Sequence, residues 1–309
     1  MLTKPLEFNK FLIDTDSRIN KRELQKVASY LRLLRPSHWI KNLLVFAPPF
    51  FAVKLFVDDS FLKGLCLFFA FSAVASCVYI INDLADKDED RMHPAKKMRP
   101  IASGKVSNTE AAFLIVLTFS LAVLLCLFLP VRTIAFIAIY FLTNLLYSFW
   151  LKKLVLVDIF VVSIMYLYRI FASEAVWNIK NSHWIILCTF FLALFLISAK
   201  RRAEFQFIEE NSASTRTVLK AYSREFLDHL MTITMTTSLV TYGLYVISTD
   251  EPYLLYSIIF VAFALFRYMY LAHKRNVGQS SEQTLVRDPW IVSSIFLWVI
   301  YNGCILHAF

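Results

Sequence analysis

Glycine is scarce, with five residues in a chain of 309, and charged side chains make up only 18%. A soluble domain carries about a quarter charged residues. The shortage of charge excludes a disordered polyelectrolyte, and the shortage of glycine excludes a collagen-like or low-complexity chain. Cysteine is also sparse. Cys66, Cys77, Cys126, Cys188 and Cys304 all lie inside apolar runs, with no CxxC and no Cys/His spacing. That excludes a disulfide scaffold and a zinc ribbon, and leaves the cysteines as packing residues. No P-loop, GxGxxG or Ser–His–Asp arrangement occurs, so nothing reads as a covalent nucleophile. The first 35 residues are polar and charged, so no cleavable signal peptide is expected.

What the chain does contain is apolar mass. Apolar types reach 58%, phenylalanine alone occurs 29 times, and the mean hydropathy is +0.57. The runs are continuous rather than alternating, which excludes a β-barrel and indicates an all-α polytopic membrane protein. Nine spans are expected, near 40–57, 61–82, 110–130, 133–150, 154–177, 183–199, 229–248, 253–272 and 290–308. The first is short, and Pro48-Pro49 should kink it. Ahead of it, Leu24, Val27, Ala28, Leu31 and Leu34 recur at helical spacing among Lys21, Arg22, Lys26, Arg32 and Arg35. Residues 21–36 therefore read as a basic amphipathic helix on the membrane surface, after a loosely ordered tail over 1–20 and before a transmembrane domain over 37–309.

The net charge is +9. In a membrane protein this calls for anchors against anionic lipid and for holders of phosphorylated substrates, and no nucleic-acid partner is expected. With the N-terminus in the cytoplasm, 27 of the 32 Lys and Arg residues fall on that face. The bias predicts an N-terminus inside and a C-terminus outside. Every polar loop able to do chemistry then faces the cytosol.

The most informative segment is NDLADKDEDRMHP over 82–94. Asp83, Asp86 and Asp90 stand at i, i+3 and i+7, one face of a helix. Three carboxylates there repel one another, and a helix C-terminus makes the repulsion worse. A divalent cation such as Mg²⁺, bridging carboxylates to a substrate phosphate, would relieve it; a solvated acidic loop is the alternative. Asp88 and Glu89 point elsewhere. Lys96, Lys97 and Arg99 follow directly, either as membrane anchors or as phosphate contacts. Lys41 and Asn42 open the first apolar run and either snorkel or face a cavity.

Tyr147 and Lys152 close the fourth span. Asp158 and Arg169 lie inside the fifth, on one face and about 16 Å apart. Such intramembrane charges mark a site or an ion pair. Lys200, Arg201, Arg202 and Glu204 follow the sixth span, where cations also suit the helix C-terminus. Arg267 and Arg287-Asp288 flank the loop before the last span. His38 and His93 are isolated loop histidines and make a poor zinc site.

An NDxxDxxxD motif closing the second of nine helices resembles the UbiA prenyltransferase superfamily. Within it, RPSHWIKN over 35–42, NDLADKDEDRMHPAKKMRPIASG over 82–104, LYSFWLKKLVLVDI over 146–159 and AKRRAEF over 199–205 look like the branch represented by decaprenyl-phosphate phosphoribosyltransferase. The resemblance covers about residues 30–309. It implies nine helices around a central cavity with cytoplasmic cap loops, in a bacterial inner membrane, with Mg²⁺ and a diphosphate on Asp83, Asp86 and Asp90 beside Asn82.

Members that use a prenyl diphosphate carry a second Asp-rich motif after the sixth helix. This chain has Lys200-Arg201-Arg202-Ala-Glu204 there. Positive charge in place of a second metal site suits two phosphate-bearing substrates, 5-phosphoribosyl 1-diphosphate and a polyprenyl phosphate. Lys41, Lys152 and the 200–202 cluster become candidates to hold the lipid phosphate or the ribose 5-phosphate. The rivals are prenyl transfer to an aromatic acceptor and an ion-coupled carrier, which would need broken helices at the bilayer midplane. Prenyl chain length is not legible, and a homo-oligomer is left open.

Overall fold

The structure is a computed structural model that describes residues 23–57, 59–92, 96–211, 217–274 and 285–308. The expected tail over 1–20, together with Lys21, Arg22, His93 and Pro94, lies outside the described residues. Every regular element among the described residues is helical. The chain divides into two compact units, residues 1–36 with 76–118 and residues 37–75 with 119–309.

The smaller unit contains α1 (23–34), the C-terminal part of α3 (Ser60–Ala85), α4 (Lys87–Met92) and the N-terminal part of α5 (Asn108–Cys126). Leu33, Ile80, Ile101, Val106, Ala111 and Leu114 form its core. Ser107 and Glu110 start α5 with reciprocal bonds. Ser107 N donates to Glu110 Oε2 at 2.9 Å and Glu110 N donates to Ser107 Oγ at 3.2 Å, a capping box that satisfies two end donors. Glu110 also receives Lys26 Nζ at 2.5 Å and Tyr30 OH at 2.9 Å, which ties α1 to α5. The far face of α1 leaves Leu24, Val27 and Leu31 exposed.

The larger unit contains α2 (Ala47–Phe51), α6 (Val131–Phe149), α7 (Val157–Trp177), α8 (His183–Asn211), α9 (Arg224–Ile247), α10 (Ile258–Lys274) and α11 (Pro289–Ala308), with the remainder of α3 and α5. The helices α6 and α7, α7 and α8, α8 and α9, and α10 and α11 pack in pairs. Gly64 of α3 lies close against the end of α7, where a Cβ would lie 2.3 Å from Trp177 Cη2. The outer faces are apolar, as on α11, which exposes Trp290, Phe296, Leu297, Val299 and Ile300. A surface of that kind is stable against lipid rather than water.

Eight helices among the described residues are long and apolar enough to cross a membrane. The expected first span differs. Residues Pro36–Phe46 form a 3₁₀ helix, and α2 is only five residues long. Pro48 and Pro49 lack amide protons, so they fit the first positions of a new helix but cannot continue an old one.

Candidate active site

The helix α1 ends at Leu34 because Pro36 disfavours a helical residue at position 35. Arg35 adopts φ +53°, left-handed for a non-glycine residue, at a cost of about 1–2 kcal/mol. The turn brings its Nη2 to within 2.5 Å of Asp83 Oδ1, and its Cζ lies 4.9 Å from the centre of the Tyr79 ring. Asp83 is two residues before the end of α3. The helical ladder runs on through the break, with Asp86 N on Asn82 O and Asp90 N on Asp86 O. The i, i+3, i+7 geometry is therefore kept although the helix is interrupted.

Arg99 joins the two buried carboxylates. Its Nη1 lies 3.0 Å from Asp83 Oδ1 and 2.6 Å from Asp90 Oδ2. Both aspartates are 2% exposed. Burial pushes the Asp90 carboxyl above its ordinary range, against the pull of Arg99. Asn82 Nδ2 donates to Asp86 Oδ2 at 3.0 Å and orients the third carboxylate. Lys96 is half-buried beside them in the short turn Lys96–Met98. Gly104, at φ +76°, closes the loop that carries Arg99. Asp88 is exposed and pairs with Arg91.

The donor set fits a hard divalent cation. Asp83 and Asp90 bring two carboxylates together, and a cationic group, Arg99, already bridges Asp83 Oδ1 to Asp90 Oδ2. Among the described residues no three acidic, His or Cys side chains close a cage. One or two carboxylates, with the other positions left to water and substrate phosphate, is the Mg²⁺ pattern.

The larger unit holds a second polar cluster. Arg201 of α8 is buried, and its three nitrogens are all used. Nε donates to Asp158 Oδ2 at 2.6 Å, Nη1 to Glu204 Oε2 at 2.8 Å and Nη2 to Tyr147 OH at 2.8 Å. Tyr222 donates to the other Asp158 oxygen at 2.6 Å and accepts from Leu156 N at 2.7 Å. Burial and the bond to Asp158 push the Tyr222 hydroxyl up. Four residues singled out in the sequence, Tyr147, Asp158, Arg201 and Glu204, thus meet in one network.

Arg202 points elsewhere. It pairs with Asp228 and donates to Ala272 O at 2.9 Å, which ties α8 to α9 and α10. Lys200 and Lys152 are half-buried. Arg267 pairs with Asp288 at 2.9 Å. Asn42 is buried, donates to Ser72 Oγ at 2.9 Å and accepts from Arg169 Nε at 2.8 Å. The half-buried Lys41 lies over the Tyr166 ring. Sequence reasoning misses the pairing of Arg35 with Asp83 and the roles of Tyr222 and Asp228. Each contact spans tens of residues, and no local spacing marks it.

Residues 43–300 match the UbiA prenyltransferase family. A decaprenyl-phosphate phosphoribosyltransferase of Mycolicibacterium smegmatis is 35% identical over 229 residues, covering 73% of this chain and 72% of the relative. One of Mycobacterium tuberculosis is 32% identical over 285 residues, covering 90% and 94%. Among solved structures, a UbiA homolog from Archaeoglobus fulgidus bound to DMAPP and Mg²⁺ superposes with a TM-score of 0.69 at 17% identity. The superposition covers 91% of this chain and 100% of that one.

Proposed function

The chain belongs to the UbiA prenyltransferase family, and on that premise we propose that it transfers the 5-phosphoribosyl group from 5-phosphoribosyl 1-diphosphate to a polyprenyl phosphate, releasing diphosphate. It is an enzyme of the membrane. The observation that carries the reading is the contrast between two segments. Asp83 and Asp90 form a buried acidic pair that fits a metal-bound diphosphate. Where a second acidic motif would stand, the chain has Lys200-Arg201-Arg202, and Glu204 is engaged by Arg201. A prenyl diphosphate donor would favour a second acid site, whereas two phosphate-bearing substrates favour cations.

Asp83, Asp86 and Asp90 would hold Mg²⁺. When bound, the cation supplies charge neutralisation for the leaving diphosphate. Asn82 keeps the Asp86 carboxylate oriented. Arg99, with Lys96 beside it, is placed to bind diphosphate oxygens once its bridge between the aspartates is released. The C1–O bond to diphosphate breaks, and positive charge at C1 is shared with the ring oxygen. An oxygen of the lipid phosphate forms the new C1–O bond. That oxygen is already anionic near neutral pH, so no general base is needed. Catalysis is then positioning and charge stabilisation. Lys41, Asn42, Tyr147, Lys152 and Lys200 belong to the substrate-binding set, with Asp158, Arg201 and Glu204 holding its shape and Arg202 acting as an interhelical tie.

The segment Pro36–Phe51 supplies a ninth crossing. Eleven 3₁₀ residues at about 2.0 Å and five α residues at about 1.5 Å reach roughly 30 Å, the thickness of the hydrocarbon core. The charge bias puts the N-terminus and the acidic motif on the cytoplasmic side of a bacterial inner membrane. The helix α1 lies on that surface with Leu24, Val27 and Leu31 in the lipid.

The test is a product assay. Purified protein in detergent receives phosphoribosyl diphosphate, Mg²⁺ and a polyprenyl phosphate, with Asp86→Ala as the control. Phosphoribosyl lipid and diphosphate should form, and both should be lost in the control. Consumption of prenyl diphosphate with an aromatic acceptor, and none of phosphoribosyl diphosphate, would overturn the reading.

A further inference from the structure

Arg169 lies midway along α7 and is 4% exposed. Its Nε donates to Asn42 Oδ1 at 2.8 Å, Nη1 to Met165 O at 2.7 Å and Nη2 to Tyr140 OH at 3.2 Å. The rings of Phe71, Tyr140 and Tyr166 surround Cζ at 5.5, 4.8 and 5.4 Å. Every one of these partners is neutral. Among the described residues no carboxylate comes within ion-pair distance of Arg169, whereas Arg201 and Arg202, equally buried, have two and one respectively. Each terminal nitrogen also keeps a second N–H with no protein acceptor among the described residues.

A buried guanidinium without a counter-charge is costly, and inside a membrane such a group faces a partner or a site. Aromatic faces and neutral acceptors offset part of that cost and leave the charge unmatched. Lys41 carries a second cation to the same place, with Nζ 5.9 Å from the Tyr166 ring that also contacts Arg169. Lys41 is half-buried, so the approach is from its side. The Arg169 side chain leans toward the N-terminal end of α7, because its Nη1 reaches back one turn to Met165.

We infer that Arg169, Lys41 and Asn42 form an anion seat that takes the phosphate monoester of the lipid acceptor, an assignment that rests on the proposed reaction. The chemistry asked for is a phosphate with two free oxygens. The seat sits inside a membrane-spanning helix among apolar side chains, which favours a phosphate that brings an alkyl tail over a water-soluble sugar phosphate.

Binding of farnesyl phosphate to the full chain in detergent, measured by calorimetry, tests this against farnesol and inorganic phosphate. Arg169→Gln should weaken farnesyl phosphate by about tenfold or more, because it removes charge-assisted bonds. Arg169→Lys should recover part of the affinity. Farnesol binding and the KM for phosphoribosyl diphosphate should stay within about twofold of the parent. Unchanged farnesyl phosphate affinity in Arg169→Gln overturns the seat, as does a loss confined to the KM for phosphoribosyl diphosphate or to inorganic phosphate. If Arg169→Gln does not fold, Lys41→Gln at a half-exposed position decides, with about threefold weaker binding expected and no change overturning the seat. Should the parent bind farnesyl phosphate through Arg169 yet form no phosphoribosyl lipid, the reaction fails and the seat stands. Product formation with binding indifferent to Arg169 and Lys41 gives the reverse.

Discussion

Arg201 and Asp158 form a 2.6 Å ion pair with both side chains sealed from solvent. The pair joins α8 to the first turn of α7, and Tyr222 completes the second Asp158 oxygen. Breaking a buried pair from one side costs about 3–5 kcal/mol when the remaining charge has no other partner; Glu204 still faces Arg201, so the cost here is smaller. Asp158→Asn should therefore lower the unfolding temperature in detergent. Asp158→Asn with Arg201→Met should recover part of that loss, because the buried guanidinium that has lost one of its two carboxylates is gone. A double variant no better than the single would show that the pair is not coupled.

The acidic pair makes a different demand. Asp83 and Asp90 are held by Arg99 and Arg35, so removing one carboxylate also removes a local repulsion. Asp83→Asn and Asp90→Asn should keep their folding and lose about 10²–10³-fold in kcat, the scale of a lost electrostatic stabiliser. The Mg²⁺ concentration for half-maximal rate should rise in both. Arg99→Gln should act mainly on the KM for phosphoribosyl diphosphate. A Mg²⁺ titration of each variant at fixed donor separates the two effects, and an unchanged Mg²⁺ midpoint in the aspartate variants would remove the metal assignment.

The legibility of this site in the sequence follows from distance along the chain. The spacing of Asp83, Asp86 and Asp90 places them on one face because helical geometry is local, and the bonds from Asp86 N to Asn82 O and from Asp90 N to Asp86 O preserve that geometry across the break after Ala85. Eight spans are legible because their hydropathy is continuous. The first is misread in form because two adjacent prolines restart the helix at residue 47. The pairing of Arg35 with Asp83 spans 48 positions and depends on a left-handed turn before Pro36. Nothing in the composition of that stretch separates Arg35 from a membrane anchor.

Asp288 gives a pH signature. The hydrogen bond from Arg267 and the backbone N–H of Ile291 hold its carboxyl below the ordinary range. A depressed folded value stabilises the fold above the unfolded carboxyl pKa, about 3.9, and that stability is lost as pH falls through the folded value. Asp288→Asn keeps the bond to Ile291 at the start of α11 and loses the charge. The gap in unfolding temperature between parent and variant should be widest near neutral pH and close as pH falls through about 4 and below. A gap independent of pH would mean that the cap, not the pair, is what Asp288 contributes.

The membrane assignment of α1 is open to a direct test because its two faces do different things. Leu33 is buried against the core of the smaller unit, whereas Leu24, Val27 and Leu31 are 64%, 52% and 51% exposed. Those three stand at i, i+3 and i+7, a stripe that faces outward while Lys26 and Arg35 are held by Glu110 and Asp83. Since Arg35 directly follows α1 and touches Asp83, seating the helix in lipid would steady the acidic site from outside. Leu24→Ser with Leu31→Ser removes apolar area without touching the core, so stability in detergent should change by about 0.5 kcal/mol or less. In vesicles containing anionic lipid the same variant should show lower phosphoribosyl transfer than the parent, and the deficit should vanish in detergent, where micelles cover the stripe in both. Equal rates in vesicles would mean that the exposed leucines have no lipid contact and that Asp83 and Tyr79 hold Arg35 without help from the membrane.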